Sequence, residues 1–442
     1  MRKKLAIIGR GTAGSLGAMH FTHFKSSQWD IEWHYDPAIP TQAVGEGAVL
    51  QLPDALETCL DFSSRNLPEI DGSIKSGIYK ENWGKLGTKF THDFPNARIS
   101  YHFNALRLQD YIHNKIKGRI KYVEGNVAHE QIDADFILNC SGKPKDFSQY
   151  VMSDYIPVNS VHVTQCYWEA PRFTHTLTIA RPYGWVFGIP LLNRCSIGYI
   201  YNKDINTLEE VKADVQNIFD QYNLTPSENT NTFAFNSYYR AKNTDGHIVY
   251  NGNSSFFLEP LEATSIGSMD YINKLAFDLW DNVGNISAVN QRYEILMQST
   301  ELIIMLHYFA GSIYKTPFWD YAMERGNKLI SKAVNQTAVK QMFSNALERI
   351  NLKNKGYIGR LPDEISNSLD YNLLNYSWHA RSFAQNIIGL GIEKEIKALT
   401  NQKTNIINLQ DSKLEKQYTG INNGKNNRSS THTTRPIGAA RD

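Results

Sequence analysis

Residues 4–14 read KLAIIGRGTAG, a short apolar run followed by three closely spaced glycines. An apolar run of this length is typical of a strand that is buried on both faces of a parallel sheet. Residues 11–24 then favour a helix, and residues 31–35 favour a second strand. Together these segments predict a βαβ unit and a Rossmann-type α/β fold.

The glycines of this turn have the spacing of a dinucleotide-binding site. Gly9 permits the tight turn, Gly11 lets the backbone approach a diphosphate, and Gly14 lets helix and strand pack closely. The diphosphate would lie at the N-terminus of the helix, where free N–H groups favour an anion. We therefore expect the cofactor to contact the whole turn, including Thr12 and Ala13.

The acidic residue expected on the second strand is less well defined. Asp36 lies where an acid would bind the ribose, and we expect it to contact the cofactor. Tyr35 and Glu32 are alternatives that the sequence leaves open.

A second glycine-containing segment indicates which dinucleotide is bound. Residues 249–254 read VYNGNS and lead into Leu258, Glu259 and Pro260. Such a segment would return to the diphosphate of a tightly held FAD. No second βαβ unit for NAD(P)H is evident, so reducing equivalents would come from a separate protein.

Composition limits the remaining classes of protein. The 442 residues are 41% hydrophobic and 20% charged, which is ordinary for an enzyme, and the net charge of +2 argues against nucleic acid as the main partner. The apolar run at the N-terminus breaks at Gly9, too early for a signal peptide, and residues 302–310 are too short to span a membrane. We expect a cytoplasmic protein, because four scattered cysteines without zinc spacing suggest reduced thiols and no metal site: Cys59, Cys140, Cys166 and Cys195.

The rest of the chain divides into segments of different character. Helices are expected at 54–63, 101–116 and 377–390, and strands at 119–123 and 136–140. Segments 161–170, 176–180 and 195–201 are rich in β-formers and suggest a sheet over the substrate side. We expect an FAD-binding domain with this interleaved sheet at 1–265, a helical region at 266–410 and a flexible basic tail at 411–442.

Seven short motifs occur in a specific order along the first 320 residues. They are PTQAVGE at 40–46, IKSGIYKENW at 74–83, HFNA at 102–105, NCSG at 139–142, GWVFGIP at 184–190, EPLEATS at 259–265 and TPFW at 316–319. In this order they resemble the motifs of the flavin-dependent halogenases of the tryptophan-halogenase family.

The resemblance implies a reaction and its residues. Reduced FAD, O2 and a halide would yield hypohalous acid, which would pass through an internal tunnel to Lys75 for electrophilic halogenation of an aromatic substrate. Glu262, near the same end, would orient the oxidant or take the proton lost from the ring. Thr264 and Ser265 would hold the halide, and the further flavin-binding residues would be Ala43, Val44, Gly45, Glu46, Trp185, Ile189, Pro190, Leu258, Glu259 and Ile266.

A lysine suits this chemistry for two reasons. Its ammonium can donate a hydrogen bond to the oxygen of hypohalous acid, and burial lowers its pKa so that the amine needed for a haloamine becomes accessible. A nearby carboxylate, here Glu262, would balance the charge. Lys80 does not fall on the position that matches the catalytic lysine of the family, and we interpret it as a surface lysine. His102 and His307 lie in predicted helices, and we expect them to have structural roles.

Departures from the family pattern affect specificity. Ala263 and Ser265 replace the usual Ser and Gly, which leaves the preferred halide open. Phe187 replaces the second Trp of its motif, and Trp185 with Phe187 would either wall off the flavin or fill a core. Only eighteen residues separate Trp83 from His102, where tryptophan halogenases have a long insertion. We therefore expect an open pocket that takes small phenols or indoles.

Two other functions remain open at this stage. A flavin monooxygenase would share the fold but would have no use for Lys75 together with Glu262. A non-catalytic flavin-binding protein would explain the three substitutions but not the retained Lys and Glu. The sequence also leaves open whether the protein is a homo-oligomer.

Overall fold

The computed structural model describes residues 2–41, 46–125, 129–355 and 380–400. Residues Met1–Thr400 form one compact unit. The predicted flavin contacts Ala43, Val44 and Gly45 and the predicted basic tail lie outside the described residues.

Strands predominate in the described chain before Thr264, and the elements from Thr264 onward are helices. The strands are β1 (Lys3–Ile8), β2 (Trp29–Tyr35), β3 (Ser73–Lys75), β4 (Gly77–Glu81), β5 (Phe90–Asp93), β6 (Ser100–His102), β7 (Lys121–Glu124), β8 (Phe136–Asn139), β9 (Tyr150–Met152), β10 (Ser160–Tyr167), β11 (His175–Arg181), β12 (Gly184–Pro190), β13 (Arg194–Tyr201), β14 (Thr225–Ala234), β15 (Tyr238–Arg240), β16 (Ile248–Tyr250) and β17 (Phe256–Phe257). The helices are α1 (Thr12–Lys25), α2 (Gln51–Leu60), α3 (Ala105–Ile116), α4 (Leu208–Gln221), α5 (Thr264–Trp280), α6 (Ile286–Ala310), α7 (Pro317–Ala333), α8 (Thr337–Asn354), α9 (Ala380–Leu390) and α10 (Glu393–Thr400).

A parallel sheet forms the first layer, with the order β16-β8-β1-β2-β7. The apolar side chains of β1 point alternately to the two faces of this sheet, and both faces are buried. Leu5 and Ile7 join the large core with Phe21 of α1 and Ile272 of α5, whereas Ala6 belongs to a smaller cluster. The Rossmann-type α/β fold predicted from the glycine turn is confirmed.

A second, mostly antiparallel sheet has the order β14-β10-β13-β12-β11-β4-β5. Its one parallel pair joins β4 to β11. Val211 and Ile218 of α4 cover one face, and residues of α6 and α7 contribute to the core beyond the other. The three segments predicted to be β-rich all lie in this sheet.

The region from residue 101 to 116 differs from its prediction. A single helix is wrong, because Ser100–His102 form β6, which pairs with β3 in the register Lys75↔Ser100. The helix α3 begins only at Ala105, where the Asn104 side chain accepts hydrogen bonds from the N–H groups of Leu106 and Arg107. His102 is therefore in a buried strand, not in a helix.

The helical character predicted after residue 266 is confirmed for the described residues. The helix α7 begins where Thr316 caps its first turn, and its Oγ1 also donates to the Pro182 carbonyl at 2.7 Å. Trp319 donates from Nε1 to the Arg181 carbonyl at 2.7 Å. The TPFW motif thus fixes α7 to the turn between β11 and β12.

Candidate active site

The glycine turn after β1 is built as its spacing predicts. Gly9 has φ +94°, and a Cβ there would lie 2.3 Å from the carbonyl oxygen of Cys140. A Cβ on Gly14 would lie 1.9 Å from the carbonyl oxygen of Gly9. In contrast, no atom of the described residues lies within 4 Å of the position a Cβ would take on Gly11. The turn is therefore tightly packed at Gly9 and Gly14 and open at Gly11, where the phosphates of a ligand would approach.

The second glycine segment meets this turn from the other side. A Cβ on Gly252 would lie 2.6 Å from the Cβ of Ala13. Asn251 donates from its backbone N–H to the Asn139 carbonyl at 2.9 Å and from Nδ2 to the Met269 carbonyl at 2.9 Å. Because no side chain caps the N-terminus of α1, its N–H groups remain available to a diphosphate. The arrangement fits an FAD diphosphate.

Of the three candidates for the ribose acid, Asp36 has the most suitable position. It follows β2 directly, and its Oδ1 accepts a hydrogen bond only from the nearby N–H of Ala38 among the described contacts. Tyr35 donates to Glu124 at 2.8 Å, and the Glu32 carboxylate pairs with Lys121 at 2.9 Å. The partners of Tyr35 and Glu32 favour structural roles for both, so Asp36 stays the predicted contact.

Glu46 is buried, and its contacts are those of a structural residue. Its carboxylate forms an ion pair with Arg194 and accepts a hydrogen bond from Ser196 Oγ at 2.8 Å. Its carbonyl accepts from the N–H of Phe103 at 2.9 Å. Any contact of Glu46 with a flavin would therefore come from the backbone, because both carboxylate oxygens are engaged.

Lys75 ends β3 and is fully buried, with 0% of its surface exposed. Its Nζ has no hydrogen-bond partner in the described part of the chain. A Cβ on Gly47 would lie 3.8 Å from Lys75 Nζ, 3.6 Å from a ring carbon of His102 and 3.8 Å from Thr176 Oγ1. Burial lowers the pKa of Lys75 to about 7. A free amine is thus accessible near neutral pH.

Glu262 lies in the turn before α5 and is also fully buried. Its φ of +68° and that of Ala263, +53°, are in the left-handed region, which is strained for residues with a side chain. Its Oε2 lies 2.6 Å from His92 Nδ1, and its Oε1 contacts Lys80 and lies 3.2 Å from His307 Nε2. The expected direct pairing with Lys75 is not found; Lys80 takes that place.

The interpretation of Lys80 as a surface lysine is wrong. Its exposure is 0%, and its Nζ contacts Glu262, lies 2.5 Å from His307 Nε2 and lies 2.8 Å from Asn386 Oδ1. Burial and then the charge of Lys75 lower its pKa, whereas the Glu262 carboxylate favours the ammonium form. The sequence held a signal for this, since the alternation of β4 places Lys80 on the same face as buried Ile78.

Two further members of this cluster were not identified from the sequence. His92 lies in β5, a strand that was not predicted, and Asn386 lies in α9. Burial, followed by the charges of Lys80 and His307, lowers the pKa of His92 well below its ordinary value. His307 lies in a helix, as predicted, but its ring contacts Glu262 and Lys80 rather than only core side chains.

Glu259 forms a separate buried site behind the cluster. Its Oε2 accepts hydrogen bonds from Tyr308 at 2.7 Å and from Trp185 Nε1 at 3.3 Å, while Oε1 has no partner among the described residues. Burial raises its pKa to about 8, so this carboxyl is neutral at pH 7. Trp185 is fully buried against Trp83, with ring centroids 6.3 Å apart. Its contacts are those of a core residue that also fixes the EPLE turn.

The other predicted flavin contacts line β12 and the start of α5. Leu258 and Ile266 are buried, Ile189 is half-buried, and the Pro190 carbonyl accepts a hydrogen bond from Ser73 Oγ at 2.5 Å. The Phe187 ring lies against Gly198 on β13, where an added Cβ would be only 2.0 Å from the ring. Nothing in these contacts assigns them to a flavin, and their role stays a prediction.

Thr264 and Ser265 form the first turn of α5. No side chain caps this end of the helix, whose N-cap is Ala263. Thr264 is buried and Ser265 is half-buried. The N–H groups of an uncapped helix start suit an anion, so the predicted halide role is chemically reasonable and stays a prediction.

The described residues contain neither a membrane-spanning helix nor a cluster of metal ligands. No helix there has the length and apolar character needed to cross a bilayer. No group of three or more His, Cys, Asp or Glu side chains in the same residues is placed to hold a metal ion.

Known proteins resemble this chain over most of its length. A family model described as tryptophan halogenase matches residues 4–123 and 107–393. A tryptophan 7-halogenase from Lentzea aerocolonigenes is 23% identical over an alignment of 415 residues, which covers 72% of this chain and 78% of that protein. A tryptophan 6-halogenase from Streptomyces albogriseolus is 24% identical over an alignment of 272 residues, which covers about half of each chain, 54% here and 50% there.

Solved structures share the fold at lower identity. A flavin-dependent halogenase from Xanthomonas campestris superposes with a TM-score of 0.70 and 17% identity over 91% of this chain and 94% of that one. A flavin-dependent halogenase from Brevundimonas sp. BAL3 gives a TM-score of 0.67 and 16% identity over 95% and 99% of the two chains. At this identity the likeness establishes the fold.

Proposed function

This chain belongs to the tryptophan halogenase family, and from that premise we propose that it halogenates small electron-rich aromatic compounds. The observation that carries the proposal is Lys75, a fully buried amine with no hydrogen-bond partner in the described residues. A buried lysine without a hydrogen-bond partner is costly, and the contact of Nζ with the Phe94 ring, 6.0 Å from its centroid, replaces little of the lost water, which favours a chemical role.

The FAD would be held at the open face of the glycine turn. Gly11, Thr12 and Ala13 would meet its diphosphate with the free N–H groups of α1, and Asp36 would bind the ribose. When bound and reduced, FAD with O2 and a halide supplies hypohalous acid. A separate flavin reductase is part of this proposal, as is the tunnel that leads from the flavin past Trp185 and Phe187 to Lys75.

Lys75 would transfer the halogen by one of two routes. As an amine it attacks hypohalous acid, so that an N–X bond forms, the O–X bond breaks and water leaves. As an ammonium it donates a hydrogen bond to the oxygen and polarises the O–X bond. Because the pKa of Lys75 is lowered to about 7, the amine route predicts a rate that rises with pH through about 7. The ammonium route predicts a rate that falls over the same range.

Glu262 would complete the substitution on the ring. When the new C–X bond forms, the ring carbon must lose its hydrogen as a proton while the C–H electron pair restores aromaticity. The Glu262 carboxylate is the acceptor that the site offers for this proton, because Lys80 and His92 keep it ionised. The Glu259 carboxyl, neutral at pH 7, is unsuited to the role.

The substrate range and location extend this proposal. The short segment between Trp83 and His102 would leave the pocket open to phenols, indoles and related heteroaromatics. Replacement of Ser and Gly by Ala263 and Ser265 would set which of chloride, bromide and iodide is preferred. The intracellular location expected from the four cysteines stays a prediction; all four thiols are free and buried.

A turnover assay with several halides tests the proposal. The protein, FAD, a flavin reductase and NADH would be incubated with phenols and indoles in chloride, bromide or iodide, with and without catalase, and products would be identified by mass spectrometry. We expect halogenated product that survives catalase and is lost in Lys75→Ala. Lys85→Ala, an exposed lysine near the same strand, is the matched control.

Other outcomes identify the alternatives. Hydroxylated product in every halide would show a monooxygenase. FAD binding without any product above the peroxide background would show a non-catalytic flavin-binding protein.

A further inference from the structure

The chain carries a second buried lysine that the family's motifs do not use. Lys75 and Lys80 are five positions apart and both have 0% exposure, yet only Lys80 contacts the Glu262 carboxylate. This inference rests on the proposed halogenase function. The two lysines have different surroundings, which suit them to different tasks.

Four separate elements bring polar groups to Glu262. In the register of β4 and β5, Ile78 pairs with His92 and Lys80 pairs with Phe90, so Lys80 and His92 project from the same face. His307 reaches the cluster from α6 and Asn386 from α9. The convergence depends on tertiary structure, since 170 residues separate His92 from Glu262.

The hydrogen bonds define the protonation of His307. Its Nδ1 lies 2.9 Å from the Ile303 carbonyl, which can only accept, so Nδ1 carries the ring proton. In the neutral ring Nε2 then has only a lone pair, and it accepts a hydrogen bond from Lys80 Nζ at 2.5 Å. His307 Nε2 therefore cannot donate to Glu262 Oε1, although the two atoms lie 3.2 Å apart.

Lys80 consequently has three polar neighbours, of which two accept hydrogen bonds and the third, the carboxylate oxygen, forms an ion pair. They are Glu262 Oε1, His307 Nε2 and Asn386 Oδ1. An ammonium has three donors and no acceptor, so a carboxylate oxygen and two hydrogen-bond acceptors are suitable neighbours for it. Lys75, by contrast, has no acceptor in the described residues and is suited to the neutral form. The surroundings favour a fixed cation at Lys80 and a free amine at Lys75.

Glu262 needs such a cation in order to act as a base. A carboxylate with 0% exposure is ionised only when a counter-ion and hydrogen bonds replace the lost water. The Lys80 contact fixes Oε1, and His92 Nδ1, at 2.6 Å, orients Oε2. His92 is the member of the cluster nearest to solvent, with 9% exposure.

We propose that Lys80 is a positioning residue that holds Glu262 ionised and fixes its Oε1, so that Oε2 takes the ring proton while Lys75 remains free to carry the halogen. Lys80 acts through Glu262 and needs no contact with substrate. The charged and titratable groups around the carboxylate are Lys80, His92, His307, Lys75 and, further out, Arg381.

A double-mutant cycle on kcat tests this proposal. The enzymes are wild type, Lys80→Met, Glu262→Gln and the double variant, with Lys85→Met as the exposed control. We expect Lys80→Met to lower kcat about 100-fold, as loss of a key electrostatic partner does, with KM and FAD affinity within about twofold of wild type. In the Glu262→Gln background the same change should have no further effect, because Lys80 acts through that carboxylate.

The pH profile supplies a readout that a merely structural role would not move. The acidic limb of the pH profile of kcat reports protonation of Glu262. Loss of the Lys80 cation should shift the midpoint of this limb to higher pH, by about one pH unit or more. Asn386→Leu removes one acceptor of the ammonium and should shift the limb in the same direction by less. This second variant keeps the test valid if Lys80→Met does not fold.

The outcomes separate this proposal from the proposed function. Retained kcat in Lys80→Met, effects of the two single changes that multiply in the double variant, or an unmoved acidic limb would each overturn the positioning role. A wild-type protein that halogenates nothing would refute the proposed function instead. Urea unfolding of wild type, Lys80→Met, Glu262→Gln and the double variant would then test the pairing itself. We expect the changes in the unfolding midpoint of the two single variants not to add up to that of the double variant; additive changes would overturn the pairing of Lys80 with Glu262.

Discussion

His92 Nδ1 lies 2.6 Å from Oε2 of Glu262. This contact joins β5, an edge strand of the mostly antiparallel sheet, to the turn before α5. Lys80 contacts the other oxygen of the same carboxylate. The Glu262 side chain is therefore held between two β-strands before any substrate arrives. Such fixed contacts reduce the reorganisation that a base would otherwise undergo during the reaction.

Replacement of Lys75 by methionine should stabilise the protein, and the gain should depend on pH. The folded-state pKa of Lys75 is about 7 and its ordinary value is 10.5. Between these values the unfolded chain binds the extra proton, so the stability of the wild type rises with pH by up to about 1.4 kcal/mol per unit. The stabilisation by Lys75→Met should be greatest below about pH 7 and should fall toward pH 10.

Urea unfolding of wild type and Lys75→Met across this pH range checks the prediction. Lys85→Met changes an exposed lysine and should leave the midpoint nearly unaltered throughout. A pH-independent difference between wild type and Lys75→Met would show that Lys75 has an ordinary pKa.

Replacement of Glu259 by glutamine should have the opposite dependence on pH. The pKa of Glu259 is raised from 4.5 to about 8, so the folded state retains a proton that the unfolded chain loses. Wild-type stability therefore falls as the pH rises from about 4.5 to about 8. Glu259→Gln, which does not ionise, should be close to wild type at about pH 5 and more stable by on the order of a few kcal/mol at about pH 8.

Thermal unfolding at both pH values measures this difference. The hydrogen bonds from Tyr308 and Trp185 can be retained by the amide oxygen. A Glu259→Gln protein that is equally destabilised at both pH values would indicate that Glu259 is ionised in the folded state.

Two glycine substitutions separate cofactor binding from folding. In Gly14→Ala the new Cβ would lie 1.9 Å from the Gly9 carbonyl oxygen, so the turn must open and we expect loss of both stability and FAD. In Gly11→Ala the Cβ meets no atom within 4 Å in the part of the chain that the structure describes. Gly11→Ala should therefore unfold within a few degrees of wild type but bind FAD at least about tenfold more weakly, because the methyl group occupies the diphosphate approach.

Flavin fluorescence titration and thermal unfolding of both variants test this pair. Unchanged FAD affinity in Gly11→Ala would mean that the diphosphate lies elsewhere.

Removal of the Thr316 hydroxyl should weaken the attachment of α7. Thr316→Ala loses the helix cap and the hydrogen bond to the Pro182 carbonyl, and we expect a loss of about 1 to 2 kcal/mol in the free energy of unfolding. Thr337→Ala changes an exposed threonine at the start of α8 and should cost less than about 0.5 kcal/mol. Urea denaturation compares the two, and equal losses would contradict the assigned role of Thr316.

The fold could be predicted largely from local sequence. The apolar run of β1 and the spacing of Gly9 and Gly14 specify a strand, a turn and a helix whose close contacts tolerate no side chain. The pattern that signals these features is local, although the carbonyl oxygen that excludes a side chain at Gly9 belongs to Cys140, which is far away in the sequence. The boundaries of α3 were missed because Ser100–His102 pair with β3, which lies 25 or more residues earlier in the chain.

The sequence by itself determined the Rossmann-type unit, the order of the motifs and hence the family, and Lys75 and Glu262 as the residues to test. Only the tertiary structure decided which lysine contacts Glu262. Lys75 and Lys80 are both plausible neighbours by position, and their roles depend on groups from β5, the turn before α5, α6 and α9. A buried charge is stabilised by whichever partners the fold brings within hydrogen-bond distance, and those distances are set by packing between elements far apart in the chain.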